Sequence, residues 1–88
     1  MTLSEIKETI EVAVPDSTAY IMDPMQDGQH LEAVVVSSIF KGLPLVKQHQ
    51  MVMKPLKDAF AQSVHALKLK TLTPEEWDVF KKENNLNL

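Results

Sequence analysis

Apolar residues along the chain recur at helical spacing, then bunch, then recur again and finally alternate, and each change of spacing marks an element. Leu3, Ile6, Ile10 and Val14 fall on one face of a helix. Thr2 and Glu5 make a capping-box pattern at its start and Pro15 ends it, so a first helix is predicted from Thr2 to about Val14. Thr18 to Met22 is short and β-prone, and Asp23-Pro24 through Asp27-Gly28 is rich in turn residues. His30 to Val36 closes on the run Val34-Val35-Val36, which suits a central strand covered on both faces. The two β-prone segments are predicted to pair antiparallel across the turn.

After the valines, Ser37 to Phe40 has the length of one short turn, Gly42 supplies permissive backbone, and Pro44 suits the first position of a helix. From Leu45 to Ala61 the residues Leu45, Val46, His49, Val52, Met53, Leu56 and Phe60 form an apolar side, while Lys47, Lys54, Lys57 and Asp58 point mostly outward. Pro55 lies inside this pattern, lacks an amide hydrogen and crowds the carbonyl near Met51. An interior proline costs about 3 kcal/mol, which predicts a kink or a break.

Val64 to Lys70 alternates as a strand does, with His65, Leu67 and Leu69 on one side and Val64, Ala66, Lys68 and Lys70 on the other. A helical crossover from the second strand to this one makes the pair parallel and right-handed. Thr73, Pro74 and Glu76 then stand as N-cap, first helical residue and N3 of a last helix, whose buried face is Trp77 and Phe80. Residues 83–88 are expected to fray. The predicted order is α-β-β-α-α-β-α on a three-stranded mixed sheet, an α+β fold in a single domain over residues 1–88.

Composition narrows the function classes. A chain of 88 residues buries only about 60 to 65% of its unfolded surface, so the core is small. No cysteine is present, which leaves no disulfide framework and no thiolate metal site within this chain. No basic-then-apolar leader and no apolar run of about 20 residues occurs, so no membrane contact is expected. The expected compartment is the cytoplasm, or an organelle stroma or matrix if a transit peptide has been removed. The net charge is -3 and every basic residue is a lysine. Without arginine the chain lacks the bidentate fork that favours phosphate and guanine recognition.

Two separated stretches resemble the BolA family. Val36-Ser37, Phe40-Lys41-Gly42 and His49-Gln50-Met51-Val52 match its strand ending in Val-Ser, its Phe-x-Gly turn and its helix with His-x-x-Val. VHALKLKTLTPEEW, from Val64 to Trp77, is similar to its His-Ala-Leu strand followed by Thr-Pro-x-x-Trp. The resemblance implies a KH-like (class II) fold. It also implies a non-enzymatic protein that pairs with a monothiol glutaredoxin of the Cys-Gly-Phe-Ser type and co-ligates a bridging 2Fe-2S cluster, for cluster trafficking or for iron and redox regulation. Glutaredoxin and glutathione would then supply the sulfur ligands, and the isolated chain would hold no cluster. Weak self-association to a homodimer is left open.

The histidines carry the candidate chemistry. Read from its strand alone, His65 is either an ordinary half-buried histidine or a ligand. The resemblance implies the second, because His65 matches the position of the family's histidine ligand. His30, at the end of the loop entering the central strand, lies where family members offer a second ligand. Asp27 is a weaker alternative, and an ordinary loop histidine remains the bland one. Two imidazoles on one iron are chemically sound and raise a cluster's potential relative to all-thiolate ligation. His49, on the apolar side of its helix, reads as structural; its neighbours Gln48 and Gln50 replace the arginines that often flank it in the family.

A second class is a nucleic-acid-binding regulator. The Phe40 to Pro44 turn resembles a helix-turn-helix corner and stands where a KH loop would, but the Gly-x-x-Gly that lets phosphates approach is missing. Lys41, Lys47, Lys54 and Lys57 could form a basic strip, although a solvated lysine face is the commoner meaning. For an enzyme there is no catalytic set. Glu75 and Glu76 belong to a helix start, and Ser37 and Ser38 have no His/Asp partners in the pattern.

Overall fold

The computed structural model of the protein describes residues 2–28, 30–60 and 67–86, the Phe60 side chain excepted. The elements are α1 (Leu3–Ala13), β1 (Ser17–Met22), β2 (Leu31–Ser37), a 3-10 turn (Ser38–Phe40), α2 (Leu45–Phe60), β3 (Leu67–Leu72) and α3 (Pro74–Glu83). The expected α+β order is present, its second α element being the single 3-10 turn. The strands form one mixed sheet in the order β1-β2-β3. β1 runs antiparallel to β2, with Ala19 opposite Val35, and β3 runs parallel to β2, with Leu31 opposite Leu67 and Val35 opposite Thr71.

The valine run lies at the centre because both of its faces are covered. On one face, Ile6, Ile10 and Val14 of α1 and Val52 and Leu56 of α2 pack on Ala19, Leu31 and Val35, with Phe40 closing the cluster. On the other, Val34, Val36 and Leu72 meet Trp77 of α3, which stacks on Tyr20 at 4.7 Å and on Phe80 at 5.7 Å between ring centroids. Leu67 and Leu69 pack against the first cluster while Lys68 and Lys70 are exposed, which is the alternation expected of β3. Both predicted capping boxes form: Thr2 with Glu5, and Thr73 with Glu76 behind Pro74.

Two expectations are narrowed. Of the kink or break expected at Pro55, the break does not occur, and α2 runs through the proline. Val52 and Leu56, on either side of the proline, are both fully buried. Burial of such side chains is worth about 1.5–3 kcal/mol each, enough to offset the roughly 3 kcal/mol of an interior proline. The apolar side of α2 is also narrower than its composition suggests, since Leu45 and Val46 are 60% and 67% exposed. The inward stripe runs instead along Gln48, Val52 and Leu56, four residues apart. Gln48 takes the first inward place because its amide donates to the carbonyls of Phe40 (3.1 Å) and Leu43 (2.9 Å) and its oxygen accepts from the Thr71 hydroxyl (2.6 Å). Past the end of α3, residues 84–86 close the helix. Asn85 adopts φ 55°, the Asn85 amide donates to Lys82 and the Leu86 amide to Lys81, which is a Schellman closure with asparagine in the glycine position.

Candidate functional site

The loop between β1 and β2 is built from two aspartates used in succession. Asp23 accepts the amides of Asp27 (3.3 Å) and Gly28 (2.9 Å) on its two carboxylate oxygens, while its carbonyl accepts the amide of Gln26 (3.1 Å). Gly28 sits at φ 70°, a left-handed conformation that glycine adopts without steric cost. Asp27 then does the same for the end of the loop. Its Oδ1 accepts the His30 amide at 3.0 Å and its Oδ2 lies 2.7 Å from His30 Nδ1. The loop is braced by its own side chains.

The two residues that the sequence offers as alternatives, His30 and Asp27, thus form one hydrogen-bonded pair. The His30 side chain is 60% exposed, and among the described residues no group bonds its Nε2. His30 immediately precedes Leu31, which is paired with Leu67. His65 lies outside the described residues. Among those that are described, no group of three or more His, Cys, Asp or Glu side chains is placed to hold a metal ion. His49 is half-buried on α2.

Six of the nine lysines divide between two surfaces. Lys41, Lys47, Lys54 and Lys57 are all exposed. At about 100° per residue, Lys47, Lys54 and Lys57 fall on one side of α2. Lys68 and Lys70 belong to the opposite layer, where they line a groove of about 540 Å³ together with Tyr20, Met22, Glu32, Trp77 and Phe80. In that layer Met22, Glu32 and Lys68 stand in one cross-strand row, at the end of the sheet that His30 enters. No described helix is long and apolar enough to cross a membrane.

The resemblance points to His30, with Asp27 as its alternative, but not to their bond. The signal for it is local: an aspartate followed by glycine, with histidine three residues on, is a pattern in which the carboxylate turns back onto nearby amides. Gln48 gives no such signal, because its three partners come from the turn and from β3.

The sequence pattern of BolA-like proteins matches residues 5–76. The chain belongs to the BolA-like protein family. It is 38% identical over 52 residues to the acid stress protein IbaG of Escherichia coli K12, a match covering 58% of this chain and 62% of that one. Over 48 residues it is 42% identical to a Haemophilus influenzae protein named as the DNA-binding transcriptional regulator BolA, covering 54% and 47% of the two chains. The structure of a BolA protein homologue from Coxiella burnetii superposes with a TM-score of 0.74 at 34% identity, over 89% of this chain and 97% of that one.

The BolA-like motifs have structural duties here. Ser37, fully buried, donates its hydroxyl to the Pro15 carbonyl at 2.6 Å and accepts the Ile39 amide at 3.2 Å, so it joins the α1–β1 turn to the end of β2. Ser38 donates to the Asp16 carboxylate beside it. Gly42 adopts φ 80°, which turns the chain from Phe40 into α2.

Proposed function

We propose that this BolA-like chain is a non-enzymatic partner protein that contributes His65 and His30 to a 2Fe-2S cluster shared with a monothiol glutaredoxin of the Cys-Gly-Phe-Ser type and its glutathione. The observation that supports this most is the parallel pairing of Leu31 with Leu67. His30 is one residue before Leu31 and His65 two residues before Leu67, and two peptide units span no more than about 7 Å. Neighbouring strands lie about 4.8 Å apart, so both imidazoles are within covalent reach of one end of the sheet.

The donor chemistry fits the same reading. Neutral imidazole is a good ligand for iron, and His30 keeps Nε2 available while Nδ1 is engaged by Asp27. The chain has no thiolate, so the sulfur ligands fall to the partner and to glutathione. When bound, such a cluster supplies one-electron redox chemistry at a potential raised by imidazole ligation. The test is to co-express the chain with a monothiol glutaredoxin and record the visible absorption and circular dichroism of the mixed complex. His65→Ala should lose or shift the spectrum while the fold persists; a spectrum identical to the parent's removes His65 as a ligand.

A second reading, a nucleic-acid-binding regulator, is favoured by the name of the Haemophilus influenzae relative and by the exposed Lys41, Lys47, Lys54 and Lys57. Binding through phosphates weakens with salt by roughly 0.9 log units per log unit of salt for each phosphate neutralised on duplex DNA. Saturable DNA binding at physiological salt that falls with this dependence and is abolished by Lys47→Glu would support it. Binding that ignores both would not.

A further inference from the structure

We infer that Asp27 is the positioning residue for His30: it fixes the ring and its tautomer so that Nε2, and not Nδ1, is presented outward as the ligand atom. The inference rests on the proposed role of His30 and assigns Asp27 a part distinct from that of a replacement ligand.

The geometry is a two-point hold. One oxygen of Asp27 accepts the His30 backbone amide at 3.0 Å and the other meets Nδ1 at 2.7 Å, so main chain and ring are tied to the same carboxylate. A carboxylate can only accept here, so Nδ1 must carry the proton. In a neutral imidazole the lone pair then resides on Nε2. Asp27 is itself held, its amide donating to Asp23, whose other oxygen fixes Gly28. The chain of contacts runs from Asp23 through Asp27 to the imidazole, and it sets the ring before any metal arrives.

Two features give this arrangement a consequence beyond loop structure. First, capping the His30 amide needs only one carboxylate oxygen, and a loop histidine 60% exposed to water gains little stability from a second contact. Second, a metal-bound histidine almost always gives its other ring N–H to a carboxylate, a carbonyl or water, which fixes ring orientation and raises ligand basicity; loss of such a partner weakens metal affinity about 10–100-fold. The Asp27–His30 pair has that form with the metal position open to solvent. An Asp27 that served instead as a direct ligand would have to give up His30 Nδ1, which is the opposite expectation.

The test has one arm without metal and one with it. In the apo protein labelled with nitrogen-15, at about pH 9, well above the usual imidazole range, long-range proton–nitrogen spectra should show His30 with Nδ1 protonated and Nε2 bare. Asp27→Asn, which keeps an oxygen acceptor, should retain that tautomer. Asp27→Ala should lose it, giving a mixture with substantial Nε2–H. A parent ring carrying its proton on Nε2, or an unchanged tautomer in Asp27→Ala, overturns the inference.

In the mixed complex with glutaredoxin, Asp27→Ala should weaken cluster retention about 10–100-fold and shift its reduction potential, with Asp27→Asn closer to the parent. If the parent holds its cluster and Asp27→Ala matches it in both respects, Asp27 positions nothing and the proposed function still stands. If the parent complex holds no cluster at all, the proposed function fails and this role of Asp27 fails with it.

Discussion

Glu11 accepts the backbone amide of Ala19 at 2.9 Å, and Lys7, bonded to the same carboxylate, donates to the Ala19 carbonyl at 2.6 Å. One ion pair on α1 therefore covers both outward-facing backbone groups of a residue on the edge strand, the part of a sheet most open to pairing with another chain. The Ala19 amide, with Lys7 adding to it, holds the Glu11 carboxyl below its ordinary value of 4.5. A carboxyl lowered by folding adds stability that is fully present above its unfolded value and is lost as pH falls through the folded one. Glu11→Ala should cost about 1 kcal/mol at pH 7, most of it from the hydrogen bond, because Lys7 is half-exposed and the ion pair is screened. In urea unfolding, parent and variant should converge as pH drops below about 4.5; a gap that persists at pH 2 would refute the assignment.

Gln48 should matter to stability out of proportion to its polarity. Truncation to alanine takes the side-chain partner from the Leu43 carbonyl and the Thr71 hydroxyl and leaves the Phe40 carbonyl with the Leu43 amide alone, at a cost of about 1–3 kcal/mol. Gln48→Glu should be worse at neutral pH, since it sets a carboxylate against two carbonyl oxygens while keeping only the Thr71 contact. Chemical denaturation of the two variants at pH 7 checks the order; equal midpoints would show that the turn holds without Gln48.

What the sequence discloses here depends on how local the cause is. The Thr2 and Thr73 capping boxes form as expected because a helix start is decided within four residues. The valine run reads as central because three adjacent β-branched residues need cover on both faces, and α1, α2 and α3 provide it. Pro55 does not break α2, because its penalty is local and is offset by the tertiary burial of Val52 and Leu56. Leu45 and Val46 mislead: they look like core, but the inward position beside them is claimed by Gln48 through the turn that precedes α2 and through Thr71 of β3. At the candidate site the cause is local again: the Asp27–His30 bond spans three residues, and the pattern of an aspartate followed by glycine, with histidine three residues on, carries its signal.

Trp77 should be the residue on which attachment of α3 depends. It is 7% exposed and stacks between Tyr20 and Phe80 at an interplanar angle of 20° on each side. Trp77→Ala should cost about 3–5 kcal/mol, a large share of the stability of a domain this small. Trp77→Phe, which keeps an aromatic surface on Tyr20, should cost less than half as much. Thermal unfolding followed by far-ultraviolet circular dichroism measures both, and similar losses for the two variants would mean that aromatic stacking is not what holds the helix.

Removing His30 should harm the mixed cluster less than removing His65. His30→Ala takes away an imidazole whose partner, the Asp27 carboxylate, stands 2.7 Å from Nδ1 and remains in the loop. An oxygen ligand or water can then partly replace the nitrogen, at the cost of a lower potential and a shorter-lived cluster. At position 65 alanine leaves a gap in VHALK, where the flanking residues Val64, Ala66 and Leu67 have no ionisable side chain, and Lys68, being cationic, donates but does not ligate. The complex with glutaredoxin should therefore keep part of its visible circular dichroism in His30→Ala and lose it in His65→Ala. The control is the double variant Asp27→Ala with His30→Ala, which should fall to the level of His65→Ala. A double variant as good as His30→Ala alone would show that Asp27 lends no oxygen, and a His30→Ala complex as damaged as His65→Ala would show that the two histidines are equally indispensable.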